Sequence, residues 1–213
     1  MIEDAHPNPD ASERRELLEV LARAFRDNPM NVEIHGGRSA RRVRANRAGL
    51  RSLVLDAHRE TVMRVIRHDG RIVGGFVAAP PGIRLLPSPS LYRQIGCFIH
   101  QGARAMDRWG VVSQALGALR PLFDHWYLAV LGVEPSLQGR GFGGRLLEML
   151  FALVESEPAP LYLEADLEAS ARFYRSRGFE DWAKTRVHGV SCWSLGRGFA
   201  DESPNLCDSV RQA

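Results

Sequence analysis

The stretch Val133-Glu134-Pro135-Ser136-Leu137-Gln138-Gly139-Arg140-Gly141-Phe142-Gly143-Gly144 sets four glycines between two apolar segments of different periodicity. Upstream, Trp126-Tyr127-Leu128-Ala129-Val130-Leu131-Gly132-Val133 is apolar at both parities, which suits a central strand covered on both faces. Downstream, Leu146, Leu147, Leu150, Phe151 and Val154 recur at helical spacing. Glycines at a strand-to-helix junction let backbone amides approach an anion without side-chain obstruction. The helix start adds unpaired N–H groups and the positive end of its dipole. The segment predicts a ligand that carries phosphate; the plain alternative, a tight turn, needs fewer glycines.

Working outward, Leu161 to Ala165 reads as a further strand, Ala169 to Arg177 as a short helix, and the remainder as two strands. Towards the N-terminus, Asp10 and Glu13 form a capping pair for a helix whose apolar stripe is Leu17, Leu18, Leu21 and Phe25, ending at Asp27-Asn28-Pro29. A second helix is expected from Ser39 to Ala57, with Val43, Leu50, Val54 and Ala57 on one side. Arg38, Arg41, Arg42, Arg44 and Arg51 occupy its other faces, either solvated or turned to an anion. Thr61 to Arg67 and Arg71 to Ala79 form a hairpin around His68-Asp69-Gly70, closed by Pro80-Pro81-Gly82. Leu91, Ile95, Phe98, Ile99, Met106 and Trp109 then fall on one helical face, and Val111 to Leu119 is a further helical stretch ending at Pro121.

A chain of 213 residues with 45% hydrophobic and 25% charged residues matches one soluble globular domain over residues 1–213. Within it, a helical insertion is expected at about 85–122 and a loose tail at about 201–213. No stretch approaches ~18 uninterrupted apolar residues, and Met1-Ile2-Glu3-Asp4 lacks a secretory start. Cys97, Cys192 and Cys207 form neither a CxxC pair nor a ligand set, which argues against disulfides and zinc. A cytoplasmic location, no metal and no membrane partner are the expectations. The net charge of +3 is too small to point to nucleic acid. Lys184 is the only lysine, so nearly all positive charge is guanidinium.

Gly139, Gly141 and Gly144 satisfy G-x-G-x-x-G, and Glu164 stands where a dinucleotide fold ends its next strand. Pro135 to Gln138 nevertheless intervene between strand and first glycine, and the chain beyond is too short for the remaining units of a doubly wound sheet. By contrast, Val133-x-Pro135-x-x-Gln138-x-x-Gly141-x-Gly143 resembles the coenzyme A pyrophosphate motif of the GNAT superfamily. Phe173-Tyr174 followed by Gly178-Phe179 resembles that superfamily's second motif. Phe25 with Pro29, Pro80-Pro81-Gly82, His125-Trp126-Tyr127-Leu128-Ala129 and Leu163-Glu164-Ala165 are similar to the group containing puromycin N-acetyltransferase, over most of residues 14–197. The resemblance implies an α/β (mixed α+β) GNAT-type fold: a central mixed sheet with splayed middle strands, flanking helices and the helical insertion.

It also implies an N-acetyltransferase that moves an acetyl group from acetyl-CoA to an amine by direct attack on the thioester. The backbone of Leu131, Gly132 and Val133 would pair with the pantetheine arm, and Gln138, Gly139, Arg140, Gly141, Phe142, Gly143 and Gly144 would hold the pyrophosphate. Ser170 stands where related sequences commonly carry Asn and would reach a pantetheine amide with a shorter side chain. Tyr174 would contact the cofactor and protonate the departing thiolate, unless it serves only as an aromatic packing residue. A backbone amide near Val130 or Leu131 would serve the oxyanion. An amine with a pKa of ~10 carries a penalty of about 4 kcal/mol for reaching its neutral form at pH 7. Glu164 is the candidate base, against the alternative of a strand-end charge paired with an arginine; Glu33, His35 and His125 are weaker candidates. The first two helices and residues 85–120, Trp109 among them, would wall the acceptor site. A small-molecule amine is the expected partner, with a protein amine or a non-catalytic acyl-CoA sensor as alternatives, and a homodimer is left open.

Overall fold

The computed structural model describes residues 2–3, 8–56, 61–83 and 91–198. The tail expected from about residue 201 and the helix end at Ala57 lie outside these residues. In chain order the elements are β1 (Ile2–Glu3), α1 (Ala11–Ala24), α2 (Pro29–His35), α3 (Ser39–Leu55), β2 (Val62–His68), β3 (Arg71–Ala79), α4 (Leu91–Gln101) and α5 (Ala103–Gly117). There follow β4 (Trp126–Val133), a 3-10 turn at Pro135–Leu137, α6 (Phe142–Ser156), β5 (Leu161–Ala165), α7 (Glu168–Arg175), β6 (Glu180–Val187) and β7 (Val190–Arg197). The strands form one mixed sheet in the order β1-β2-β3-β4-β5-β7-β6, antiparallel except where β4 meets β5. That order excludes the doubly wound dinucleotide fold.

Capping chemistry starts α1 where the sequence places it. Asp10 accepts from the N–H groups of Ser12 and Glu13 at 2.7 and 2.9 Å, and Glu13 returns a bond to the Asp10 N–H at 2.7 Å. Leu17, Leu18 and Leu21 then pack with Met63, Val65, Val77 and Val130 on one face of the sheet. The other face is covered by α6 and α7: Phe142, Leu146, Leu147, Leu150 and Tyr174 meet Trp126, Leu128, Leu161 and Leu163. Each fully buried leucine on these faces contributes about 1.5–3 kcal/mol.

Two sequence expectations change. The helical face from Leu91 to Trp109 is divided at Gly102, whose positive φ of 84° ends α4 and starts α5. Its α4 half faces outward, with Leu91, Tyr92, Ile95, Phe98 and Ile99 exposed. Val111 accordingly lies within α5, not at the start of a new helix. α2 is additional: Pro29 occupies its first turn, where a missing N–H costs nothing. Among the described residues no helix is long and apolar enough to cross a membrane.

One irregularity organises the centre. In the β3–β4 ladder Val77 opposes Val130 and Ala78 opposes Leu128, so Ala129 is an extra residue. The bulge reverses the side-chain parity of β4, putting Leu128 in the α6 core and Val130 in the α1 core. At the same point β4 leaves β5. Their parallel pairing covers only Trp126, Tyr127 and Leu128 against Leu161, Tyr162 and Leu163. Beyond it Glu164 and Ala165 pair with β7 alone, and β4 keeps only β3.

β3 demands a small residue where α1 and β2 close on it. A Cβ on Gly75 would stand 2.6 Å from both the Arg64 carbonyl oxygen and a Leu17 methyl. Gly75→Ala is expected to cost about 1–3 kcal/mol by overpacking, read as a lower midpoint in urea unfolding. An unchanged midpoint would mean that α1 is not held against the sheet this tightly.

Candidate functional site

Beyond the bulge, β4 has one unpaired edge. The Glu134 N–H bonds to the Val73 carbonyl of β3 at 2.7 Å, so the planar trans peptide turns the Val133 carbonyl the opposite way. By strand alternation Leu131 and Val133 both present their polar groups to the open side. The Gln138 side-chain amide donates to the Val133 carbonyl at 3.0 Å. Gln138 therefore closes the loop onto its own strand, leaving Leu131 N–H, Leu131 C=O and Val133 N–H along the gap.

The glycine loop runs from this edge into α6. Gly139 and Gly141 have φ of 74° and 88°, a left-handed conformation that side chains disfavour, and a Cβ on either would meet nothing within 4 Å. Open space lies over the loop. Gly141 is the N-cap of α6 without a side-chain cap, and the first turn carries no acidic residue. The first bond across the helix start is from Arg145 N–H to the Gly141 carbonyl at 3.1 Å, so Phe142, Gly143 and Gly144 keep unpaired N–H groups. Phe142 is buried against the His68 ring, at 5.4 Å between centroids, and pins the helix start. Arg140 is exposed beside it. A cradle of amides with positive dipole and no opposing carboxylate fits a pyrophosphate, and the free strand edge fits an amide-bearing arm.

Ser170 and Tyr174 lie one turn apart on α7, hence on one face. The buried Tyr174 ring sits between Phe173 and Phe179, at 5.2 and 5.4 Å. Its hydroxyl has no hydrogen-bond partner among the described residues, and burial pushes the phenol well above its ordinary pKa. Packing and chemistry are compatible here: the ring is core, the hydroxyl is free.

Glu164 is placed differently from a solitary base. Its carboxylate accepts from Arg120 Nε at 3.0 Å and from the Tyr127 hydroxyl at 2.8 Å. Arg120 also donates to the Tyr127 oxygen at 2.7 Å and lies 4.0 Å over that ring. Burial and the neighbouring Glu164 hold the Tyr127 phenol protonated. Glu33 is ion-paired with Arg108 at 2.6 Å. His125 bonds the Phe123 carbonyl through Nδ1 at 2.8 Å. His35 lines a cavity, where Trp109 donates its indole N–H to His35 Nε2 at 3.2 Å.

That cavity, about 490 Å³, lies between α1–α3 and α4–α5 and is floored by Ala129 and Val130 at the bulge. It joins the helices that the sequence set aside for an acceptor to the point where β4 and β5 part. The amide residues Asn31, Asn46 and Gln101 that line it, and the roles of Arg120 and Tyr127 on Glu164, were not foreseen. Asn46 had one signal, a poor helix former between the apolar positions Ala45 and Ala48. Among the described residues no cluster of three His, Cys, Asp or Glu side chains is arranged to hold a metal.

Residues 105–181 match the family model of the acetyltransferase (GNAT) domain. N-alpha-acetyltransferase RimI of Mycobacterium tuberculosis is 34% identical over 77 residues, 34% of this chain and 49% of that protein. The chain spans less than half the length of the curated relatives it matches. A solved structure titled histone acetyltransferase HPA2 and related acetyltransferase, from Corynebacterium glutamicum, has a TM-score of 0.65 at 19% identity, covering 92% of this chain and 96% of that one. The polyamine N-acetyltransferase of Drosophila melanogaster has a TM-score of 0.61 at 20% identity, covering 92% and 99%. At these identities the structures establish the fold, which is that of the GNAT acetyltransferases.

Burial lowers the pKa of both His35 and His125 below the ordinary histidine value. The unfolded chain then binds more protons than the native one once pH falls below about 6.5, so their stabilisation is present above that pH and lost below it. Asp10, Glu13 and Asp27, also lowered, act only in the carboxylate range. The melting temperature should therefore drop between pH 7 and 5.5, and less so in His35→Asn and His125→Asn. Equal drops in all three proteins by scanning fluorimetry would refute this.

Proposed function

We propose that this chain, which carries an acetyltransferase domain of the GNAT superfamily, transfers an acetyl group from acetyl-CoA to the amine of a small molecule. The carrying observation is the open edge of β4 that leads directly into the amides of Gly139 to Gly144 at the start of α6. Acetyl-CoA supplies an activated acyl carbon as a thioester. Leu131 and Val133 hold the pantetheine arm as an added strand, with Gly132 between them, and Ser170 reaches one of its amides. The loop amides hold the pyrophosphate and Arg140 adds charge at its rim.

In the reaction the amine nitrogen forms a bond to the acyl carbon while the carbon–sulfur bond breaks, its electron pair leaving on sulfur. The proton lost from nitrogen balances the proton gained by sulfur. The Leu131 amide, next to the bulge and turned to the gap, donates to the oxygen where negative charge develops. Tyr174 donates the proton to sulfur. Burial keeps it protonated at neutral pH, and the same desolvation raises the affinity of a thiolate for a proton, which keeps donor and acceptor matched. Glu164, bound to Arg120 and Tyr127, positions the strands at the split in this reading. A protein N-terminal amine is the second reading, favoured by the match to an N-alpha-acetyltransferase.

Coenzyme A release over a panel of amines and peptides, beside calorimetric binding of acetyl-CoA, tests the proposal; binding without turnover on any acceptor would favour a sensor. Gly143→Val is the suitable loop variant, because Gly141 needs its left-handed φ whereas a Cβ on Gly143 meets only Phe173 at 3.4 Å. It should weaken acetyl-CoA and abolish the ligand-induced rise in melting temperature; unchanged affinity would defeat the loop assignment. Tyr174→Phe should change acetyl-CoA affinity little while lowering kcat and kcat/KM together by roughly 10²-fold, less with a more acidic thiol as leaving group. Full activity with chemistry rate-limiting would leave Tyr174 a packing residue.

A further inference from the structure

If the chain acetylates an amine as proposed above, the cavity behind the bulge specifies what carries that amine. Its floor, Ala129 and Val130, is the point at which β4 leaves β5. Asn31, Asn46 and Gln101 contribute its amide groups. Each of these spends its NH2 on a backbone carbonyl: Asn31 on Phe25 at 3.1 Å, Asn46 on Ala22 at 3.2 Å, Gln101 on Ala45 at 3.1 Å. Those bonds fix the amide orientations, because only the nitrogen can donate to a carbonyl. The three amide oxygens have no protein donor among the described residues.

The cavity thus offers uncharged acceptors set in an apolar wall. None of the described residues lining it is Asp, Glu, Lys or Arg. His35 adds no charge, because burial, then the nearby Arg41, keeps the imidazole neutral. An amine N–H finds a partner in such a site. A second cation finds no carboxylate and meets the field of Arg41, and a carboxylate finds no cation.

We infer that the acceptor is a primary amine on a compact, uncharged, apolar body, without a second cation and without a carboxylate. The same surroundings favour the nucleophile. Amide oxygens in an apolar cavity accept from a neutral amine without stabilising the ammonium form as a carboxylate would, so desolvation lowers the amine's pKa. The site needs no dedicated base held against the nitrogen.

Four probes test this: phenethylamine, agmatine, spermidine and phenylalanine, each followed by coenzyme A release and by calorimetric binding to the protein saturated with coenzyme A. Phenethylamine should exceed each of the others by about 100-fold in kcat/KM and bind measurably where they do not. Ser113→Asp places a carboxylate on the cavity wall and should raise agmatine relative to phenethylamine by about 10-fold. Agmatine, spermidine or phenylalanine matching phenethylamine in the native protein would overturn the inference while leaving acetyl transfer intact. If no amine releases coenzyme A, acetyl transfer fails, and the binding series then decides alone: preference for phenethylamine supports the cavity's selectivity, and equal affinities overturn it.

Discussion

A strand can lie flush with two neighbours only while all three keep a common register. β4 holds its register with β3 by inserting Ala129 as a bulge, and from that residue it can no longer follow β5. The backbone groups left along the gap are in the position of a sheet edge inside the molecule. A buried polar group without a partner costs about 1–3 kcal/mol, so an interior edge of this kind favours any extended polar chain that can pair with it. The glycine loop, the free Tyr174 hydroxyl and the cavity floor all take their places from this one divergence.

Strands that separate must be held apart, and three acidic residues fasten them to α1, to the start of α2 and to the segment after α5. Glu134, just past β4, takes a bidentate grip from Arg23 of α1, at 3.0 and 2.8 Å to one oxygen. Asp166, just past β5, accepts from the Asn28 side chain at 2.8 Å and the Met30 N–H at 2.9 Å, at the start of α2. Glu164 takes Arg120 from the segment after α5. The β4 end is thereby bound to α1 and the β5 end to the start of α2. The ion pairs are only partly buried, so their worth lies more in fixing geometry than in net stability.

What could be read from the sequence follows how local each signal is. The capping pair Asp10 and Glu13, the hairpin at Asp69-Gly70 and strand β5 are written in contiguous residues, and all stand where expected. The glycine loop was equally legible because left-handed backbone selects glycine. The bulge had no such mark: Ala129 is one apolar residue among eight, and its register is set by β3 some fifty positions earlier. Glu164 carried two readings, base or strand-end charge, and the arginine it pairs with, Arg120, lies 44 residues away where no local pattern marks it. The helix face from Leu91 to Trp109 misled because periodicity reports amphipathicity and cannot say which face meets protein.

The near absence of lysine has a chemical consequence of its own. Guanidinium groups stay protonated and are poor nucleophiles, whereas a lysine ε-amine reacts with thioesters when neutral. With Lys184 as the one lysine, seated 5.3 Å from the Trp193 ring, the chain exposes a single side-chain amine to a reagent that acylates amines. If acetyl-CoA is the donor as proposed, such a chain offers little to self-modification, and its positive charge survives where a lysine-rich surface would be gradually neutralised.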